Sequence, residues 1–300
     1  MSAILLLALC LGIGLAMARD QRLPPGAPQA LNFWIVNVAL PALIIVEIPK
    51  LHFSSELLFP AIAPWFVFLG SVVVFSITGQ RRGWSRGTTG AMILTCGLGN
   101  TAYMGLAMIE ALRGPEAVGA AVIADQFGSF MMLSVGGVIV AAWFSGAEPT
   151  AAQIVRRLFG FPPFLALLVA LALWPLGGLP DILQTVLTRI GQTLTPLALF
   201  SVGLQLKFRG IGANRLTLLG GLGWKMLIAP LLVWAAALLL GLDAKGPIAV
   251  AGILQCAMPP MVTAGILAEQ YKLNPDLANL VIGIGTVLSL ALLPLASMLL

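Results

Sequence analysis

Residues Ala91 to Leu112 read AMILTCGLGNTAYMGLAMIEAL, a run apolar enough to cross a bilayer that Gly-Leu-Gly-Asn-Thr interrupts near its middle. The run has an echo 160 residues later, where Ile253-Leu254-Gln255-Cys256-Ala257-Met258-Pro259-Pro260 follows Ile93-Leu94-Thr95-Cys96-Gly97-Leu98-Gly99-Asn100. At the same offset Ala91 matches Ala251, Gly105 matches Gly265, Pro115-Glu116 matches Pro275-Asp276 and Ser129 matches Ser289. Two interrupted apolar segments at corresponding places in two halves of a chain point to the binding site of a secondary transporter.

Composition requires a lipid environment. The 300 residues are 59% hydrophobic and 9% charged, against about 25% charged in ordinary soluble domains. The net charge of +5 is no nucleic-acid footprint, because Lys and Arg lie in short loops with no basic run among aromatics. Cys10, Cys96 and Cys256 lie inside apolar segments and read as packing residues, not as a disulfide or metal set. The lone His52 falls at a span end. Met1 to Ala18 resembles a signal peptide but has no basic residue before its apolar run, and the two-fold pattern needs it as a span.

Segments of about 20 apolar residues cross a bilayer as helices. Ten are expected, at about 3–18, 30–49, 58–79, 88–112, 116–144, 160–177, 183–206, 215–240, 246–271 and 276–299. Pro41, Pro64, Pro196, Pro230 and Pro294 fall inside them, and the longest loop, about 145–159, divides five spans from five. Arg19, Arg22, Arg81, Arg82, Arg86, Arg156, Arg157, Lys207, Arg209, Arg215 and Lys272 fall on one side and Lys50, Arg113 and Lys245 on the other. The basic side is cytoplasmic by the positive-inside rule, so both termini are expected outside the cytoplasm of a bacterial-type inner membrane. Five spans per half then make the second half an inverted copy of the first. No extramembrane domain is expected.

At the breaks, Gly97 and Gly99 are expected to supply backbone angles that other residues resist. Asn100 and Thr101 are natural N-caps for the outgoing half-helix. Pro259 and Pro260 lack N–H groups, and Pro260 disfavours helix at Pro259. Each outgoing half-helix turns a positive dipole end to the membrane interior. Asn100, Thr101 and Thr263 are candidates to bind a carboxylate there, together with Gly99, Pro259 and Pro260; exposed carbonyls of the incoming half-helices are the alternative place for Na⁺.

Ionisable residues inside a membrane are functional candidates. Asp125, beside Gln126, is the deepest and is assigned to ion or proton coupling, with a structural bond to a broken helix as the alternative. Lys225 either neutralises Asp125, attracts an anion or snorkels to the cytoplasmic face.

These residues carry a family resemblance. Gly99-Asn100-Thr101-Ala102-Tyr103-Met104-Gly105 resembles the Asn-Thr-x-x-Met-Gly signature of the auxin efflux carrier family, which includes the plant PIN auxin transporters and bacterial carboxylate permeases. Ala257-Met258-Pro259, Ala268-Glu269-Gln270-Tyr271 and Asn274-Pro275-Asp276 are similar to that family's second crossover and the loop after it, and Val38–Leu43 and Phe200–Leu204 also resemble it. Pro259-Pro260 stands where plant relatives have Pro-Gln. The third span lacks their acidic–basic pair, and their large cytosolic loop is absent.

The resemblance implies an all-α fold of ten helices in two inverted five-helix repeats with broken, crossing spans 4 and 9, as in bile-acid symporters and sodium–proton antiporters. It implies a scaffold of residues 1–56 and 147–210 and a mobile core of 57–146 and 211–300. The expected function is elevator-type secondary transport of a small organic anion, such as a carboxylate or auxin-like molecule, with Asn100 touching the carboxylate. Na⁺ or H⁺ would be the coupling ion; no other cofactor and no nucleic acid is expected, and the scaffold would pair into a homodimer. The alternatives are a sodium-coupled bile-acid-like symporter, a channel or a non-transporting sensor. An intramembrane enzyme is disfavoured, because His-Glu-x-x-His, Gly-x-Ser-x-Gly and a paired-aspartate arrangement are missing.

Overall fold

The computed structural model describes residues 2–18, 20, 23–24, 26–52, 54–148, 150–176, 178–205 and 215–300. Arg19, Arg22, Lys207, Arg209 and the expected boundary at 210 lie outside the described residues. Among those described, the regular elements are helices, with one isolated β-bridge, between Gly99 and Pro260. Five helical stretches are long and apolar enough to cross a bilayer: Ala27–Lys50, Ser55–Arg82, Pro115–Ser145, Arg215–Leu239 and Pro275–Leu299. The pair Ala151–Phe159 and Pro162–Leu173, bent by 67°, makes a sixth if taken as one span.

The expected crossing spans are each in two pieces. Arg86–Gly97 is followed by an extended Leu98 and a helix resuming over Thr101–Arg113; Pro247–Cys256 is followed by an extended Met261 and the helix Val262–Gln270. A further break splits Asp181–Gly191 from Leu194–Gln205. Its physical cause is Pro196, whose ring crowds the carbonyl four residues earlier, at Gln192.

Prolines elsewhere are absorbed differently. Pro64 and Pro294 lie within continuous helices. Pro41 and Pro230 each follow a widened π turn, Ile35–Ala39 and Trp224–Ile228, in which the next N–H reaches back five residues: Leu40 to Ile35, Ala229 to Trp224. The wider turn supplies a bonding pattern that fits a missing proline N–H.

The segment expected as the longest loop contains a helix, Ala151–Phe159. Thr150 accepts from Gln153 N–H while the Gln153 side chain accepts from Thr150 N–H, a capping box. That reciprocal pair satisfies two otherwise orphaned donors and fixes the helix start.

Two large buried apolar clusters organise the packing. One joins Arg86–Gly97 to Leu58–Arg82, Val262–Gln270 and Arg215–Leu239. The other joins Leu106–Arg113 and Pro247–Cys256 to Leu40–Glu47, Pro162–Leu173 and Leu194–Gln205. Arg86–Gly97 and Val262–Gln270 belong to the first cluster and Leu106–Arg113 to the second, while Pro247–Cys256 bridges them, giving Ile253 and Cys256 to the first and Val250, Ala251 and Leu254 to the second. Ser2–Met17 lies along Leu194–Gln205 with backbones nearly touching: a Cβ on Gly14 would come 2.3 Å from the Phe200 carbonyl oxygen, and one on Gly203 would come 2.5 Å from that of Leu11. Small residues are what allow two helices to approach this closely.

Candidate substrate site at the paired helix breaks

The two breaks hold each other. Asn100 N–H donates to the Pro259 carbonyl at 2.8 Å, and Met261 N–H donates to the Leu98 carbonyl at 3.0 Å. Backbone freed by breaking a helix must find partners wherever water is excluded; here each break serves the other. Pro259 and Pro260 have no N–H, so Met261 is the first residue after Met258 able to donate, which selects the register.

Neither Gly97 nor Gly99 takes a positive φ, so unusual backbone angles are not what these glycines supply. Close approach is: a Cβ on Gly97 would lie 2.3 Å from Ser71 Oγ, and one on Gly99 would lie 3.1 Å from Lys225 Nζ. The capping expectation is also corrected. The Asn100 side chain caps nothing; its backbone carbonyl instead accepts from Gly105 N–H at 2.9 Å, closing a π turn over Thr101–Gly105. Asn100 is 2% exposed, and its Nδ2 has no hydrogen-bond partner.

The Thr101 hydroxyl is drawn to Asp125, donating to Oδ1 at 2.5 Å, while Gln126 Nε2 donates to Oδ2 at 2.7 Å. Asp125 is 3% exposed. It sits on another π turn, Ala124–Phe130, a helix irregularity that recurs at functional sites.

A cavity of about 110 Å³ opens beside the breaks. Asn100, Asp125, Thr263 and Arg157 provide its polar lining, and Tyr103, Phe130, Phe161 and Met261 much of its apolar wall. Of the residues expected at the substrate, Asn100 and Thr263 line this cavity. Gly99, Pro259 and Pro260 build the backbone junction behind it, and Thr101 and Gln126 hold the Asp125 carboxylate.

Lys225 forms no ion pair with Asp125. Its Nζ donates to the Cys256 carbonyl at 3.0 Å, and the residue is 1% exposed, enclosed by protein instead of reaching toward an aqueous end.

Two residues emerge that the sequence reading did not assign to the site. Arg157, counted there only for orientation, is brought to the cavity by the helix after the capping box. Gln255 Nε2 donates to the Thr101 carbonyl at 3.3 Å and the Ala121 carbonyl at 3.0 Å, bracing the first break against the helix that leads to Asp125. The repeat offset pairs Gln255 with Thr95, and an uncharged position of that kind offers no signal of this bracing.

Comparison with known proteins gives a consistent result. The membrane transport protein family matches residues 1–297. An uncharacterized transporter of Methanothermobacter thermautotrophicus is 31% identical over 278 residues, covering 91% of this chain and 89% of the relative. An uncharacterized transporter of Methanocaldococcus jannaschii is 22% identical over 282 residues, covering 89% of this chain and 88% of the relative. Auxin efflux carrier component 6 of Arabidopsis thaliana is 31% identical over 116 residues, which are 37% of this chain and 20% of the plant protein. With helices long and apolar enough to cross a membrane several times and a match along nearly its whole length, this chain belongs to the membrane transport protein family, the family of the auxin efflux carriers.

Proposed function

We propose that this protein is a secondary carrier that moves a small organic anion across a lipid bilayer by alternating access. The observation that carries the reading is the Asn100 side chain: buried, unpartnered at Nδ2, and on the wall of a cavity where two helices break. The large majority of buried polar groups in proteins find a partner, and an amide N–H complements a carboxylate oxygen. The helices Thr101–Arg113 and Val262–Gln270 both begin beside this junction, so their positive dipole ends add attraction for an anion. Arg157 adds a full positive charge to the same wall.

Asp125 supplies the coupling logic. A second carboxylate beside a bound anion is unfavourable unless a cation or a proton neutralises it. Asp125, with Thr101 and Gln126 as its donors, is therefore assigned to binding the coupling H⁺ or Na⁺. Binding of substrate and ion then support each other.

The movement proposed is of the elevator type, in ten crossing segments arranged as inverted halves, with the scaffold in residues 1–56 and 147–210 and the mobile core in 57–146 and 211–300. Packing supports the grouping. Ser2–Met17 runs along Leu194–Gln205, and Leu40–Glu47 packs on Pro162–Leu173 and Asp181–Gly191. The scaffold faces pair into a homodimer. The setting is an inner membrane with both termini outside the cytoplasm, following the basic loops.

The test is thermal unfolding of the purified protein with a panel of small carboxylates, across pH and with or without Na⁺. A ligand of the folded state raises the midpoint by mass action. A carboxylate is expected to stabilise the parent and to leave Asn100→Ala, itself folded, unshifted. An Asn100→Ala protein that binds the anion as tightly as the parent places the site elsewhere.

A further inference from the structure

Lys225 is buried in the membrane-spanning body, yet among the described residues no carboxylate lies within ion-pair distance of it; the ion pair found there is Lys50–Glu47. Burying a cation is costly unless something negative faces it. What faces Lys225 is backbone, with the thiols of Cys96 and Cys256 nearby. Its Nζ bonds the carbonyl of Cys256, the last residue of the ten-residue helix Pro247–Cys256. It also lies against Gly99 of the other break, close enough that a Cβ there would be 3.1 Å from Nζ. The ammonium is thus wedged between the negative end of one half-helix and the unwound backbone of the other. It is absent from the wall of the cavity that Asn100 and Thr263 line, so it does not share the anion's side of the junction.

In transporters built on broken helices, unwound carbonyls and half-helix C-terminal ends are the groups that coordinate a coupling Na⁺. An ammonium matches that place in charge and prefers the same oxygen ligands. We propose that Lys225 is a resident cation, taking at this helix end the position a coupling Na⁺ would otherwise fill, so that the junction is held without sodium. Lys225 is then a positioning residue: its charge fixes the end of Pro247–Cys256 against Gly99 and thereby sets the angle at which the two breaks meet. The idea rests on the crossover being the working site of a carrier. It concerns a different group from the Asp125 carboxylate, whose coupling ion is H⁺ if the junction needs no sodium.

The experiment separates this from the carrier reading by using stability as well as uptake. Purified parent protein, without any carboxylate, is melted in NaCl and in choline chloride. The midpoint is expected to be the same in both, and reconstituted uptake is expected to survive replacement of Na⁺ by choline. Lys225→Ala is expected to melt lower in choline and to regain part of the loss with Na⁺ or ethylammonium, but not with ethanol, which has a similar size and no charge. Lys225→Arg keeps a cation and is expected to melt near the parent and remain indifferent to Na⁺, which preserves a test if Lys225→Ala fails to fold. A parent stabilised by Na⁺, or a folded Lys225→Ala that melts like the parent in choline, overturns the proposal. If no carboxylate is transported while the Na⁺ and ethylammonium pattern holds, the carrier reading falls, and Lys225 stands only as the cation that holds the junction, with no coupling ion to replace.

Discussion

At the first break the chain runs extended between two glycines and then presents Asn100 and Thr101; at the second it runs through Pro259-Pro260 and presents Thr263 one turn later. Both halves of the junction contribute one N–H and one carbonyl to a shared pair of hydrogen bonds. The means differ. The prolines remove donors and restrict geometry, so the second break is a stiff template with little polar chemistry. The glycines remove bulk, so Ser71 and Lys225 can press close, while the next two residues supply a free amide and a hydroxyl. The comparison teaches that a two-fold architecture need not divide its groups evenly: one break sets register, the other carries most of the polar side chains that the proposed recognition needs.

The strongest way to test that asymmetry beyond Asn100 is Asp125→Asn. The carboxylate accepts from Thr101 and from Gln126, and an asparagine accepts on one side only. Losing a hydrogen bond to a charged group costs about 1.5–3 kcal/mol. Uptake is expected to lose its dependence on the coupling proton, read as a flat rate across pH. Retained pH dependence would move coupling away from Asp125.

Next in size is Gly105→Ala, where an added Cβ would fall 2.0 Å from Gln255 Oε1. Overpacking of this kind costs about 1–3 kcal/mol. The melting midpoint should fall, and Gly105→Ala combined with Gln255→Ala should fall less than the sum of the two single changes. Strict additivity would mean that position 105 and Gln255 are not in contact.

The smallest effect is expected at Thr263→Val. This half-buried hydroxyl lines the cavity from the second break, and a single neutral hydrogen bond contributes about 0.5–1.5 kcal/mol. Carboxylate affinity, measured by the shift in midpoint, should weaken modestly with stability unchanged. If Thr263→Val costs as much as Asn100→Ala, the two breaks share recognition equally and the asymmetry is wrong.

Much of the junction is visible in the chain itself, because a Gly-rich and a Pro-rich interruption of an apolar run have few other uses and their common offset marks them as partners. Asn100, Thr263 and Asp125 stand out for the same reason, being polar or charged where lipid or protein surrounds them, and all three line the cavity. What was hidden depends on partners without a side-chain signature. Lys225 answers to a backbone carbonyl, not to Asp125. Gln255 answers to two more. The π turns under Thr101, Asp125 and Lys225 shift a helix by one residue without altering its apolar character. Arg157 looked like any loop arginine until the capping box at Thr150 and Gln153 made its segment a helix that reaches the cavity. Asn100 looked like a cap, because a sequence shows the residue type but not which of its atoms the turn will use.

The junction hangs on two main-chain bonds, Asn100 N–H to Pro259 and Met261 N–H to Leu98. Neither involves a side chain. A change of amino acid at position 100 or 263 can therefore alter the lining of the cavity while the joint between the halves stays as it was, provided the new residue tolerates the same backbone path. On the proposed function, such a frame would separate inheritance of the mechanism from inheritance of the cargo, so that substrate could change one substitution at a time without first rebuilding the machine.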